Sequence, residues 1–319
     1  MRDVRALPFL RFEDNESHSE RLFDFRFGDE EPGAVRGDRE HLFTARNLRA
    51  WASHYVIRPD VSFFLLNGLR VQAAAFGIYH PDYDAHVYRD IAFHNVTAEP
   101  VNGGHDEASL PYGDFTYDRL TFTECALQCD PLIQLTGIAL QPGVAAHFRG
   151  VTLTNSISRE GGVVDFGGPR TKKTEHPVGY FFYDTPAPGV VTRVASVNIP
   201  VAIKDGDCRA IDGWTGPEAR ATEVKSIAFP EILTPVDDLP PATMITSMQP
   251  NGNRLLVRGI SHDNGEIATV TVNGRLAAIT TQHAGVADWT ITLDAPSDGR
   301  LIARAVDLLG NAERLLHEI

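Results

Sequence analysis

The chain has 319 residues, of which 43% are hydrophobic and 22% charged, the balance of a folded protein rather than a disordered one. That length exceeds the usual single-domain size, so two domains are expected. Asp and Glu outnumber Lys and Arg by 42 to 29, a net charge of −13, which argues against nonspecific nucleic-acid binding and against docking on an anionic membrane. No apolar run is long enough for a membrane-spanning helix, and the first residues carry no apolar secretion segment.

Helical periodicity is weak along the whole chain. Apolar runs are short, rich in β-branched and aromatic residues, and broken by 27 glycines and 20 prolines, so strands joined by many turns are expected. One pattern recurs: Asn47-Leu48-Arg49-Ala50-Trp51, Gly68-Leu69-Arg70-Val71, Asp90-Ile91-Ala92-Phe93-His94-Asn95, Arg119-Leu120-Thr121-Phe122-Thr123 and Gly150-Val151-Thr152-Leu153-Thr154-Asn155. With Leu48, Leu69, Ile91, Leu120 and Val151 equivalent, the steps are 21, 22, 29 and 31 residues, periods that mark stacked coils. Ile91 and Phe93 are expected to point inward, Ala92 and His94 outward, because side chains alternate along a strand. Asn95 and Asn155 close their strands where a corner in the left-handed conformation is tolerated. The longer steps place inserted loops at 97–114 and within 124–142. A right-handed parallel β-helix is expected over residues 1–178; an antiparallel sandwich with short strands would show similar spacing.

Residues 179–234, with the aromatic run Tyr180-Phe181-Phe182-Tyr183, read as terminal coils or a β-rich cap. The acidic, proline-rich stretch 235–241 reads as a linker. Residues 242–319 contain seven candidate strands (243–248, 254–260, 267–272, 275–280, 289–293, 301–307 and 313–317). Asn273-Gly274 is a type I′ hairpin signal, and the whole suggests a small β-sandwich. The three cysteines, Cys125, Cys129 and Cys208, cannot all pair within one chain; free thiols are the first expectation, with one disulfide the next.

On Pro240-Pro241-Ala242-Thr243, Asp263-Asn264-Gly265, Val270-Thr271-Val272-Asn273-Gly274 and Asp307-Leu308-Leu309-Gly310-Asn311, the last domain resembles the bacterial immunoglobulin-like modules of secreted and surface proteins. The first part resembles the parallel β-helix of pectate-lyase-like proteins. Through Phe12-Glu13-Asp14-Asn15-Glu16-Ser17-His18-Ser19 and Phe76-Gly77-Ile78-Tyr79-His80 it also resembles the helix that follows a G8 domain in large extracellular proteins. The resemblance implies an extracellular or cell-surface setting and polysaccharides or surface glycans as partners. It transfers no catalytic residue, and the lyase arginine and calcium–aspartate pattern is not recognisable here.

The densest polar cluster runs from Tyr79 to Asp90. In an extended chain His80, Asp82, Asp84 and His86 share one side, offering two imidazoles and two carboxylates. That set suits an acid and a base for sugar chemistry, with Asp82, Asp84 and His86 as the catalytic candidates, or a divalent cation such as calcium. The alternative is a polar corner whose side chains cap turns. His18, His80, Tyr112 and Tyr117 are candidates for substrate contact, the tyrosines as stacking surfaces for sugar rings; core packing is the competing role. Glu99, His105, Asp106 and Glu107 sit in the inserted loop. No phosphate loop, GxSxG or HExxH motif occurs. The leading expectation is an exported or surface protein that binds a glycan or another partner on its helix, with the last domain as a spacer. A polysaccharide-degrading hydrolase or lyase, and a structural piece of a larger surface protein, are the alternatives.

Overall fold

The computed structural model describes residues 12–28, 37–79, 85–103, 113–125, 132–134, 138–139, 141–156, 164–165, 176–177, 179–183, 193–195, 201–204, 207–210, 229–232 and 234–319, those of 138–139 and 164–210 by their backbone alone. Every element among them is a strand. The chain forms two compact units, Met1–Pro235 and Val236–Ile319.

In the first unit the chain alternates between two parallel sheets. Strands Phe43–Trp51, Phe64–Gln72, His86–His94 and Phe115–Thr123 lie side by side in the first sheet. Strands Phe23–Gly28, Tyr55–Asp60, Phe76–Tyr79, Glu99–Asn102 and Ile133–Gln134 do so in the second. The first sheet continues through Ala145–Arg149 and Thr152–Thr154 to Gly179–Tyr183, still in parallel, and ends on the antiparallel strand Arg193–Ala195.

The register bears out the ladder expected from the repeat. Leu48 pairs with Leu69, Leu69 with Ile91 and Ile91 with Leu120; Val151 takes the next rung, just before the Thr121–Thr152 pair. All five are buried, none more than 4% exposed. In-register stacking places like on like, so the neighbouring rows are columns of rings. Tyr88 stacks on Tyr117 at 5.1 Å, Tyr117 on Phe148 at 4.5 Å, and Phe93 on Phe122 at 5.3 Å. Each buried aliphatic or aromatic side chain stabilises the stack by about 1.5–3 kcal/mol relative to exposure.

The four nine-residue strands each turn a corner at their fifth residue. The turning positions share one register row, Asp14, Asn47, Gly68, Asp90, Arg119 and Gly150, all with φ between 50° and 90°. A second left-handed row closes the same strands at Ser19, Ala52, Ala73, Asn95, Glu124 and Asn155. Asn95 (φ 50°) and Asn155 (φ 48°) thus take the corner role expected of them. Pairing runs through this row: the Ala52 amide donates to Gln72 O at 3.0 Å, Ala73 to His94 O at 3.0 Å, and Asn95 to Thr123 O at 2.9 Å. These bonds hold even the alanines in a conformation that costs an L-residue about 1–2 kcal/mol.

One expected loop contains a strand. Glu99–Asn102 lies inside 97–114 and pairs with Phe76–Tyr79. Its Glu-Pro-Val-Asn sequence reads as a turn, but Glu99 and Asn102 are buried and Asn102 Nδ2 donates to Glu99.

The second unit has two four-stranded antiparallel sheets. One orders Ala242–Asn251, Arg254–His262, Val286–Asp294 and Ala278–His283; the other Arg275–Leu276, Ile267–Val272, Ile302–Asp307 and His317–Glu318. Ile245, Val257, Trp289 and Leu293 from the first and Val270, Val272, Ala303 and Ala305 from the second fill one core. Asn273 (φ 48°) and Gly274 (φ 74°) form the expected tight turn. Two residues of the expected linker region belong to this unit: Asn264 Nδ2 donates to Val236 O and Asn311 Nδ2 to Asp237 O.

Candidate functional site

Because Leu48 and Ala50 face inward, Arg49 and Trp51 must face out, and the same parity holds on every rung. Two outward rows result. One runs Glu16, Arg49, Arg70, Ala92, Thr121, Thr152; the other runs His18, Trp51, Gln72, His94, Thr123, Thr154. Ala92 is the smallest side chain in its row, and a recess of about 340 Å³ opens around it. Arg49, Trp51, Arg70, Gln72, Ala92, His94 and Thr123 line this recess.

Trp51 is 38% exposed, unusual for so large an apolar ring on a strand. His18 stacks beside it, ring centroids 4.8 Å apart and planes 17° from parallel. Arg49 Nη1 lies 2.6 Å from Glu16 Oε1, and His94 Nε2 lies 3.4 Å from Glu124 Oε2. Chemically the face offers an aromatic platform, two guanidinium groups, an amide and two imidazoles. It can stack a flat or ring-shaped ligand and donate hydrogen bonds to its oxygens.

Of the residues singled out from sequence, His18 belongs to this face. His80, Asp82, Asp84 and Tyr112 lie outside the described residues, as do His105, Asp106 and Glu107. His86 and Tyr117 are both 0% exposed, which takes them out of a ligand's reach and corrects the roles expected for them. His86 Nε2 sits 2.6 Å from Val61 O and its Nδ1 2.9 Å from Tyr88 Oη. Nε2–H therefore donates to the carbonyl and Nδ1 accepts from the phenol, the pattern of a neutral ring. Burial pulls its pKa down to about 4, against the Val61 bond that raises it. Tyr117 is sandwiched between Tyr88 and Phe148, and burial pushes its phenol pKa up. Cys125 is a buried free thiol.

Trp51, Arg70, Gln72 and His94 were not picked out from sequence as functional. The signal was present in the repeat itself: residues two and four after the corner are outward on every rung, so Arg49/Arg70 and Trp51/Gln72 share rows.

A second cluster lies in the second unit. Carboxylate oxygens of Asp237, Asp263 and Asp307 lie within 4.8 Å of one another. Asp307 is fixed by Asn311, whose backbone N and Nδ2 each donate to it at 2.7 Å. Burial, with the charges of Asp237 and Asp307 adding to it, pushes the Asp263 pKa up to about 6, against a hydrogen bond from Gly265 N. Asp237 is raised by burial and then by Asp307. An all-oxygen donor set of this kind suits a hard cation.

Neither a protein-family model nor a curated protein nor a solved structure matches this chain.

Proposed function

We propose that the first unit is a right-handed parallel β-helix, exported or held at a cell surface, whose outer face binds a glycan. The second unit is an immunoglobulin-like β-sandwich serving as a spacer. Alternation between two parallel sheets, one rung per circuit, supports the helix, and parallel crossovers are almost always right-handed. The observation that carries the binding reading is Trp51, a large ring left open to solvent beside a recess rich in hydrogen-bond donors. A rigid stacked scaffold holds that surface ready, which lowers the ordering cost of binding.

The test is a polysaccharide screen with the full chain, with and without calcium or zinc, that reads both binding and new reducing or unsaturated ends. Binding without product, weakened by Trp51→Ala, is the expected result. Product formation would replace this reading with a polysaccharide-degrading enzyme. A screen without binding would remove it.

A further inference from the structure

Resting on the glycan reading, we infer that the recess takes an acidic glycan, seating a carboxylate or sulfate against Arg70 with a sugar ring on Trp51. The argument begins with charge pairing. Among the strand residues of the first unit whose side chains are described, the other arginines each have a carboxylate. Arg26 and Arg58 share Asp60, Arg46 meets Glu13, Arg49 meets Glu16, Arg89 and Arg149 meet Asp118, and Arg119 meets Asp90. Arg70 is exposed and has no ion pair with a described residue, in a chain whose net charge is −13.

Register sharpens the point. Arg70 is the direct cross-strand partner of Arg49, and like charges placed opposite each other repel. Glu16 offsets one of the two charges, so the pair keeps one positive charge for an anion to balance. The next position in the row is Ala92, whose short side chain leaves the recess open beside Arg70. A planar guanidinium grips a carboxylate or sulfate through two parallel hydrogen bonds, a geometry that neutral sugars do not match. Trp51 lines the same recess, so the anionic group and the ring of one sugar are recognised together.

The full chain is titrated calorimetrically with uronate oligosaccharides, sulfated oligosaccharides, neutral glucans and poly-glutamate. Acidic glycans are expected to bind about tenfold or more tightly than neutral ones, and added salt to weaken them. Arg70→Gln should lower that affinity about tenfold, with Arg70→Lys between it and the parent. Arg39→Gln, an exposed arginine outside the recess, should change nothing. The uronate and sulfate arms separate the two anions. Neutral glucans binding as tightly as acidic ones, with Arg70→Gln silent but Trp51→Ala weakening binding, overturns this inference and leaves the glycan reading intact. If Trp51→Ala weakens no glycan in any arm, the glycan reading itself falls. Tighter binding of poly-glutamate than of any sugar overturns the inference in favour of an acidic peptide. Unchanged circular-dichroism melting of the variants shows that a lost affinity is not lost folding.

Discussion

Leu69→Ala tests the stacked core directly. Leu69 is fully buried and sits between Leu48 and Ile91 in the ladder, with rungs packed on both sides. Neither flank can collapse far, because both neighbours are held in register by strand pairing. The substitution should therefore cost about 3 kcal/mol, within the usual 2–5 for a buried leucine. That is a change of roughly a hundredfold in the opening equilibrium. In a stack each rung supports the next, so the loss should spread to the adjacent strands. Hydrogen-exchange mass spectrometry of the full chain reads this by segment. Protection should fall in Phe43–Trp51, Phe64–Gln72 and His86–His94, and hold in Arg254–His262 of the other unit. Arg70→Ala, one residue along but facing out, should change protection by less than about 0.5 kcal/mol. Equal effects from the two neighbouring substitutions would refute the inward–outward parity on which both the core and the recess depend.

Other consequences follow from titratable and crowded positions. The folded pKa of His86, about 4, lies below its ordinary 6.5, so its stabilisation is present above pH 6.5 and lost as the pH falls from there through 4. Urea titrations read by fluorine NMR of 5-fluorotryptophan-labelled protein should show the Trp51 unit weakening over that window by about 3 kcal/mol at most. His86→Gln should flatten the dependence, and an unchanged slope would contradict the neutral buried ring. Asp263 has the opposite sign: raised to about 6 from 3.8, it gives stability that is full below 3.8 and lost as pH rises through 6. The Trp289 resonance should then report a second unit firmer at pH 4.5 than at pH 7 in wild type, with the difference reduced in Asp263→Asn. Gly259→Ala would place a Cβ 2.0 Å from the Trp289 ring and 2.4 Å from Met244 O. A second unit destabilised by about 2 kcal/mol is expected, and an unshifted Trp289 urea midpoint would count against this packing.

The repeat was legible because stacking imposes it. Leu48, Leu69, Ile91, Leu120 and Val151 recur since each must fill the same inward position; Asn95 and Asn155 made the left-handed corner visible, whereas Ala52, Ala73 and Glu124 take the same conformation without a sequence signal. The Glu99–Asn102 strand was hidden, because a turn-like tetrapeptide becomes a strand only when its neighbour offers a pairing edge. His86 and Tyr117 misled in the other direction. Their side chains suit chemistry, but each fills a buried row of rings, His86 between Phe64 and Phe115 and Tyr117 between Tyr88 and Phe148.

Alternation of apolar and polar residues, the spacing of turns and the balance of charge were enough to specify an all-β chain with parallel strands and a separate small domain. These are local properties, read one residue after another. Which side chains meet across twenty or more residues was decided by register. That is why Arg49 faces Arg70, why Trp51 borders an open recess, and why three distant aspartates converge in the second unit. Contacts of that kind arise from backbone hydrogen bonding between strands, which no single stretch of chain encodes alone.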